Sequence, residues 1–186
     1  GNDLDVLYTT DHGEFQGDFG FLFKGPYHVD SLMRLPLIWR PAPSANIAPA
    51  RVSAPVGHVS LAATFAHIAG MAQPSYVEAP RLPIHQAEAE QLGHERVLTE
   101  WDSVLFGKIV HLRTICRDNW VCTAALDGSM SKAGEGELYD LTHDPLQHVN
   151  RWDDPSVRAL REDLLADMWD NLPSQHLPLR SMDAPV

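Results

Sequence analysis

At 186 residues and 44% apolar content, the chain can bury the core of one ordinary domain, or of one domain with a small appendage. Its formal net charge of −11 argues against a nucleic-acid partner, because nucleic acid is held by clustered Lys and Arg and no basic patch occurs anywhere in the sequence. Two cysteines, Cys116 and Cys122, exclude a disulfide scaffold and a four-cysteine zinc site, and no apolar stretch is long enough to span a bilayer.

In chain order, Leu4, Val6, Leu7 and Tyr8 form an apolar run that reads as a buried strand, ended by Thr9 and Thr10 and followed at once by Asp11, His12 and Gly13. A carboxylate and an imidazole therefore stand where a strand ends, the edge at which open α/β sheets bind ligands. A glycine-bearing loop follows (Gly13, Gly17, Gly20, Gly25) with a single cation, Lys24, twelve residues after His12. Leu35 to Trp39 reads as a second apolar strand. The chain begins without methionine and enters its first strand almost at once, so we expect the C-terminal part of a longer protein whose remainder supplies sheet neighbours.

Prolines 41, 43, 49 and 55 mark an irregular surface connection. In HVSLAATFAHIAGM, Leu61, Phe65, Ile68 and Ala69 predict one apolar helical face, with Ser60 as N-cap and Gly70 as the stop. Prolines 74, 80 and 83 suggest a boundary near residue 83, and a short polar helix is expected at His85 to Leu92. From Arg96 the pattern turns to strands (RVLTEW, VLFGKIVHLRTICR, NWVCTAAL), with Arg117-Asp118-Asn119 as a hairpin turn and a further strand at Glu137 to Leu141. Val157, Leu160, Leu164, Met168 and Leu172 recur at helical spacing behind an Asp154-Pro155 start, predicting a helix packed on that antiparallel sheet. The expected organisation is 1–83, 84–172 and an extended or disordered tail at 173–186.

Asp11 and His12, turned to one side beyond a strand end, can face a single ion; carboxylate oxygen and imidazole nitrogen suit Mn²⁺, Zn²⁺, Mg²⁺ or Ca²⁺, with His favouring the first two. Two ligands do not make a site, and a capping Asp beside a hydrogen-bonded His is the plain alternative. Lys24, among Phe19, Phe21, Leu22 and Phe23, either snorkels to solvent or is held against a sulfate or phosphate oxygen. Glu14 and Asp18 are candidate acceptors to orient His12, or solvated loop carboxylates. Cys116 and Cys122 flank the predicted hairpin turn and can be read as a bridge or as two half-buried thiols.

In these residues the chain resembles the C-terminal half of the sulfatase family. T-T-D-H-G-E, G-D-F-G, F-K-G-P-Y and R-L-P-L-I-W-R are similar to that family's T-S-D-H-G-E, G-D-H-G, lysine before glycine and R-V-P-L-I. PVGHVSLAATFAHIAGM, VLTEW and GELYDLTHDPLQHVN continue the likeness, and ordered blocks over roughly 150 residues are far more specific than any one of them. The resemblance implies an α/β fold: the C-terminal part of an alkaline-phosphatase-like sandwich with a small antiparallel sheet plus helix subdomain. It implies a hydrolase of sulfate esters, or of phosphonate or phosphate esters, with a divalent metal ion (Ca, Mn, Mg or Zn) and a formylglycine nucleophile made from a C/S-x-P-S-R motif in the N-terminal half. Asp11 and His12 match the second pair of metal ligands, the Asp-His form leaning toward the phosphonate monoester hydrolase-like branch. Lys24 matches the catalytic lysine that holds the transferred group, and His28, four residues on, is taken as a second substrate-binding candidate.

The departures are specific. No C-x-P-S-R occurs, the N-terminal Asp pair of the metal site is missing, Phe19 replaces the His of G-D-H-G, and Gln147 stands near the usual Glu of the E-L-Y-D-L block, a change expected to lie far from the pocket. The expected partner is a small-molecule sulfate or phosphonate ester, without nucleic acid or membrane; a homo-oligomer and a cytoplasmic location are further expectations. The expectation from another class is a non-catalytic scaffold or metal-binding module.

Overall fold

The structure is a computed structural model and describes residues 2–105, 107–128 and 130–172. Two compact units emerge: the first takes the residues through Gly13 together with Arg34–Val97, the second takes Glu14–Met33 and the described residues from Leu98 on. The glycine-bearing segment 14–33, adjacent in sequence to the first strand and ending in the one-turn α1 (Asp30–Met33), thus groups with the C-terminal sheet. The arm expected at 173–186 lies outside the described residues.

In the first unit, β1 (Val6–Thr9) pairs antiparallel with β2 (Leu37–Arg40), Val6 opposite Arg40 and Thr9 opposite Leu37. Asp5 accepts from the Trp39 indole N–H at 2.8 Å and Asp3 from the Ser44 amide at 2.9 Å, tying the approach to β1 to β2 and to the chain beyond it. Within these residues the expected burial of the first strand is not met: Leu4, Val6 and Tyr8 are exposed, because a two-stranded ribbon has no second layer of its own to bury them.

The helix α2 (Ser60–Ile68) also differs from its sequence pattern. Its buried positions are Ser60, Ala63, Thr64 and Ala66, while Phe65 is 53% exposed. The reason is polar: the fully buried Thr64 hydroxyl donates to the Ser60 carbonyl at 2.7 Å and accepts from the Leu82 amide at 2.8 Å, so the threonine takes the inward face. Ser60 is the first helical residue rather than the cap, which falls at Val59. Gly70 ends the helix as expected, at φ +66, with the Met71 amide donating to the Ala66 carbonyl and the Gly70 amide to His67, a Schellman closure that only a left-handed residue allows cheaply. The short α3 (Gln86–Gln91) is held by Glu88, which accepts from the Ile84 amide at 2.6 Å and pairs with Arg81.

The second unit is built on a sheet of order β3-β4-β5-β6, formed by β3 (Arg96–Leu105), β4 (Lys108–Arg117), β5 (Trp120–Ala125) and β6 (Gly136–Asp140), with the pairs β4–β5 and β5–β6 antiparallel. Asp118 and Asn119, at φ +52 and +61, make the predicted tight turn. Beyond a 3-10 turn at Pro155–Val157, capped by the Asp154 carboxylate on the Ser156 amide, α4 (Arg158–Asn171) packs Leu164 and Met168 into Ile115, Cys122, Ala124 and Leu138. The helix and its period agree with the sequence. Because Ile115 lies opposite Cys122, and Cys116 opposite Val121, the two cysteines point to opposite faces and no disulfide joins them.

The sheet's other face carries Thr114, Val121, Thr123 and Tyr139, all buried. Segment 14–33 reaches this face through His28, which hydrogen-bonds Thr114, and its own small core joins Phe15, Val29 and Leu32 under Tyr27.

Candidate active site

At the end of β1 the chain turns, and the turn aims Asp11 and His12 together. The His12 amide donates to Asp11 Oδ1 at 3.0 Å, and the Thr10 hydroxyl donates to the His12 carbonyl at 3.2 Å. His12 Nδ1 lies 2.8 Å from the Gly13 carbonyl, so in the neutral ring Nδ1–H is the donor and Nε2 carries the lone pair. Nε2 stands 3.6 Å from Asp11 Oδ2, with the Asp side chain 88% and the His side chain 33% exposed. A carboxylate oxygen and an imidazole nitrogen thus face the same side. A backbone carbonyl that fixes the tautomer is the usual support of a ligating His, here in the place suggested for Glu14 or Asp18. Within the same unit, His58 Nε2 lies 3.1 Å from the Thr9 hydroxyl at the strand end, a contact no sequence spacing signalled. Among the described residues no cluster of three or more His, Cys, Asp or Glu could hold a metal ion, so Asp11 and His12 form at most half of such a site.

Lys24 and His28 belong to the second unit. Lys24 is exposed and follows Phe23, whose φ of +64 is left-handed, a conformation that a bulky residue keeps only when its surroundings fix it. Those fixings are visible: the Phe15 amide donates to the Phe23 carbonyl at 2.8 Å, Gly17 to Phe21 at 2.9 Å, and the Phe21 and Tyr27 rings stack 5.4 Å apart. A side chain at Gly25 would meet the Tyr27 ring at 3.1 Å, so glycine lets the chain pass close to that ring.

His28 is turned into the protein, 3% exposed, with Nδ1 2.8 Å from Thr114 Oγ1, which in turn lies 2.8 Å from Thr123 Oγ1. Burial first, and the Arg113 charge second, push its pKa down to about 4, so the ring is neutral. Arg113 itself is buried and forks onto Asp102 at 3.0 and 2.7 Å. Gln147, expected to lie far from the pocket, belongs to the same framework: its Oε1 accepts from the Asp30 amide at 2.6 Å, six residues beyond Lys24. Thr114 and Gln147 escape a sequence reading because their partners, His28 and Asp30, lie 86 and 117 residues away along the chain.

No protein-family model matches the chain. It is similar to the uncharacterized sulfatase YidJ of Escherichia coli (strain K12), 29% identical over 171 residues that cover 90% of this chain and 32% of that protein. Its structure superposes on BT4656 in complex with its substrate D-glucosamine-2-N,6-O-disulfate with a TM-score of 0.73 at 22% identity, covering 89% of this chain and 33% of the other. The fold is that of the C-terminal part of a sulfatase. The phosphonate monoester hydrolase of Agrobacterium radiobacter is similar to the same degree, with a TM-score of 0.73 at 19% identity over 91% of this chain and 35% of its own. The chain therefore spans about a third of the length of the relatives it matches. Among the described residues no helix is long and apolar enough to cross a membrane.

Proposed function

We propose that this chain is the C-terminal portion of a metal-dependent hydrolase of sulfate esters. The observation that carries the reading is the Asp11–His12 pair beyond β1: two donors on one side, with the ring tautomer fixed by the Gly13 carbonyl. Asp11 Oδ2 and His12 Nε2 would hold a divalent cation, and the chemistry of one O and one N donor suits Mn²⁺, Zn²⁺, Mg²⁺ or Ca²⁺. When bound, such an ion polarises ester oxygens and orients the attacking group. Lys24 places a cation against the transferred sulfuryl group and offsets charge developing on its oxygens. The loop fixes the Lys24 backbone on either side, which favours a positioned charge over a freely snorkelling one.

Neither C-x-P-S-R nor S-x-P-S-R occurs in the sequence, so a formylglycine nucleophile would come from outside these 186 residues, and the chain by itself would be inactive. A second reading, hydrolysis of phosphonate or phosphate esters, is favoured by the Asp-His form of the pair and by the similarity to a phosphonate monoester hydrolase. The test uses the full-length protein on 4-nitrophenyl sulfate and on the 4-nitrophenyl ester of phenylphosphonate. Asp11→Ala and Lys24→Ala should each lower kcat/KM at least a hundredfold on the better substrate. A full-length protein without turnover of either ester, carrying no C/S-x-P-S-R upstream, would instead support a non-catalytic module.

A further inference from the structure

The cation of the candidate site sits on a loop that is fastened from behind by the C-terminal sheet. Lys24 lies between the left-handed Phe23 and Gly25, and only Pro26 and Tyr27 separate that pair from His28. Proline fixes one backbone dihedral, and the Tyr27 amide donates to the Gly25 carbonyl at 2.8 Å, so the connection from Lys24 to His28 is short and stiff. His28 then enters the sheet, its Nδ1 bonded to Thr114 Oγ1 and, through it, to Thr123 Oγ1 on the next strand. Two residues later the Asp30 amide is fastened to Gln147. His28 Nε2 is buried without a hydrogen-bond partner, so the Thr114 bond at Nδ1 is the polar contact that the structure gives this ring.

A buried imidazole with one ring nitrogen unsatisfied is a costly way to fill space; an aliphatic side chain would pack there without that penalty. What the imidazole adds is direction, because one hydrogen bond to a hydroxyl on a rigid strand fixes the ring and the backbone that carries it. We infer that His28 is a positioning residue for Lys24, holding the lysine loop in register through the His28–Thr114–Thr123 chain, so that the small C-terminal sheet fixes the loop that carries the lysine. The inference rests on Lys24 acting as the clamp on the transferred group. A displacement of about 1 Å at such a group can cost up to a hundredfold in rate, so the expected effect is large enough to read.

The test is a double-mutant cycle in the full-length enzyme, reading kcat/KM on the better of the two 4-nitrophenyl esters. Thr114→Val, which keeps the shape and removes the hydroxyl, should lower kcat/KM about tenfold, chiefly in kcat. His28→Asn, whose amide can occupy the Nδ1 position, should stay within about threefold of wild type, while His28→Gln should fall with Thr114→Val. In a Lys24→Ala background the Thr114→Val change should have no further effect, because the group it positions is gone. Equal losses in both backgrounds would mean a general structural role and would overturn the inference, as would wild-type kinetics for both Thr114→Val and His28→Gln. If Thr114→Val does not fold, the His28→Asn and His28→Gln pair carries the same cycle. A Lys24→Ala enzyme as active as wild type would overturn the clamp reading itself; an impaired Lys24→Ala enzyme beside an unimpaired Thr114→Val enzyme would overturn the positioning role alone.

Discussion

Replacing His28 by leucine should change how the fold responds to acid, and the size of the change follows from the burial of the ring. In the folded chain the imidazole titrates at about 4 instead of its ordinary 6.5, burial being the larger cause and Arg113 the second. In the unfolded chain it takes up a proton near 6.5, so between those values the unfolded state binds more protons than the folded one, and stability falls as pH falls. At about 1.4 kcal/mol per pH unit the whole window is worth about 3 kcal/mol, of which about 2 kcal/mol is lost by pH 5. Above pH 6.5 the contribution is constant. Glu137, on the same sheet face as Thr114, acts with the opposite sign: burial raises its carboxyl pKa, so protonating it favours the fold. Comparing wild type with His28→Leu cancels that contribution and isolates the ring. Urea unfolding at pH 7.5, 6.0 and 5.0 should therefore give a stability difference between the two proteins that shifts by about 2 kcal/mol in favour of the leucine variant toward pH 5. Parallel pH profiles would refute the argument, since the ring would then be neither buried nor neutral in the fold.

Leu164→Ala should destabilise the second unit by about 2–5 kcal/mol, as the leucine is fully buried between α4 and the sheet; thermal or urea unfolding reads it, and a loss below 1 kcal/mol would contradict the packing. Gly136→Ala should cost about 1–3 kcal/mol, because a β-carbon there would lie 2.5 Å from both the Thr123 carbonyl oxygen and the Trp152 ring, and a backbone oxygen cannot step aside. Cys122, fully buried and with its thiol pushed up to about 12 chiefly by desolvation, should resist a thiol reagent at pH 8 until the chain unfolds, whereas mass-spectrometric detection of its early labelling would show an open core.

Much of this was legible in the order of residues, and what escaped has physical reasons. The helix α4 announces itself because Val157, Leu160, Leu164 and Met168 repeat at helical steps behind a capping aspartate, and the β4–β5 turn because Asp118-Asn119 tolerates left-handed backbone. The inward face of α2 differs from its apolar pattern because a threonine, not an aliphatic residue, anchors it, and hydrophobic periodicity does not register a buried hydroxyl with two partners. The apolar side chains of β1 stand exposed because, among the described residues, β2 is its sheet neighbour and no second layer covers the ribbon. At the candidate site, Asp11 and His12 stand out as a pair because adjacency in sequence becomes adjacency in space at a strand end. The environment of Lys24 did not, since the hydrogen bonds fastening its loop join residues 86 and 117 positions apart and leave no local pattern.

The central claim is that Asp11 and His12 contribute half of a metal centre. It is tested most directly by the metal content of the full-length protein, measured by elemental analysis beside an Asp11→Ala, His12→Ala double variant that retains the wild-type circular dichroism. The account predicts a tightly held divalent ion in the wild type that the double variant lacks. Equal metal content in the two folded proteins would contradict it, and these two side chains would then be the polar ending of a strand.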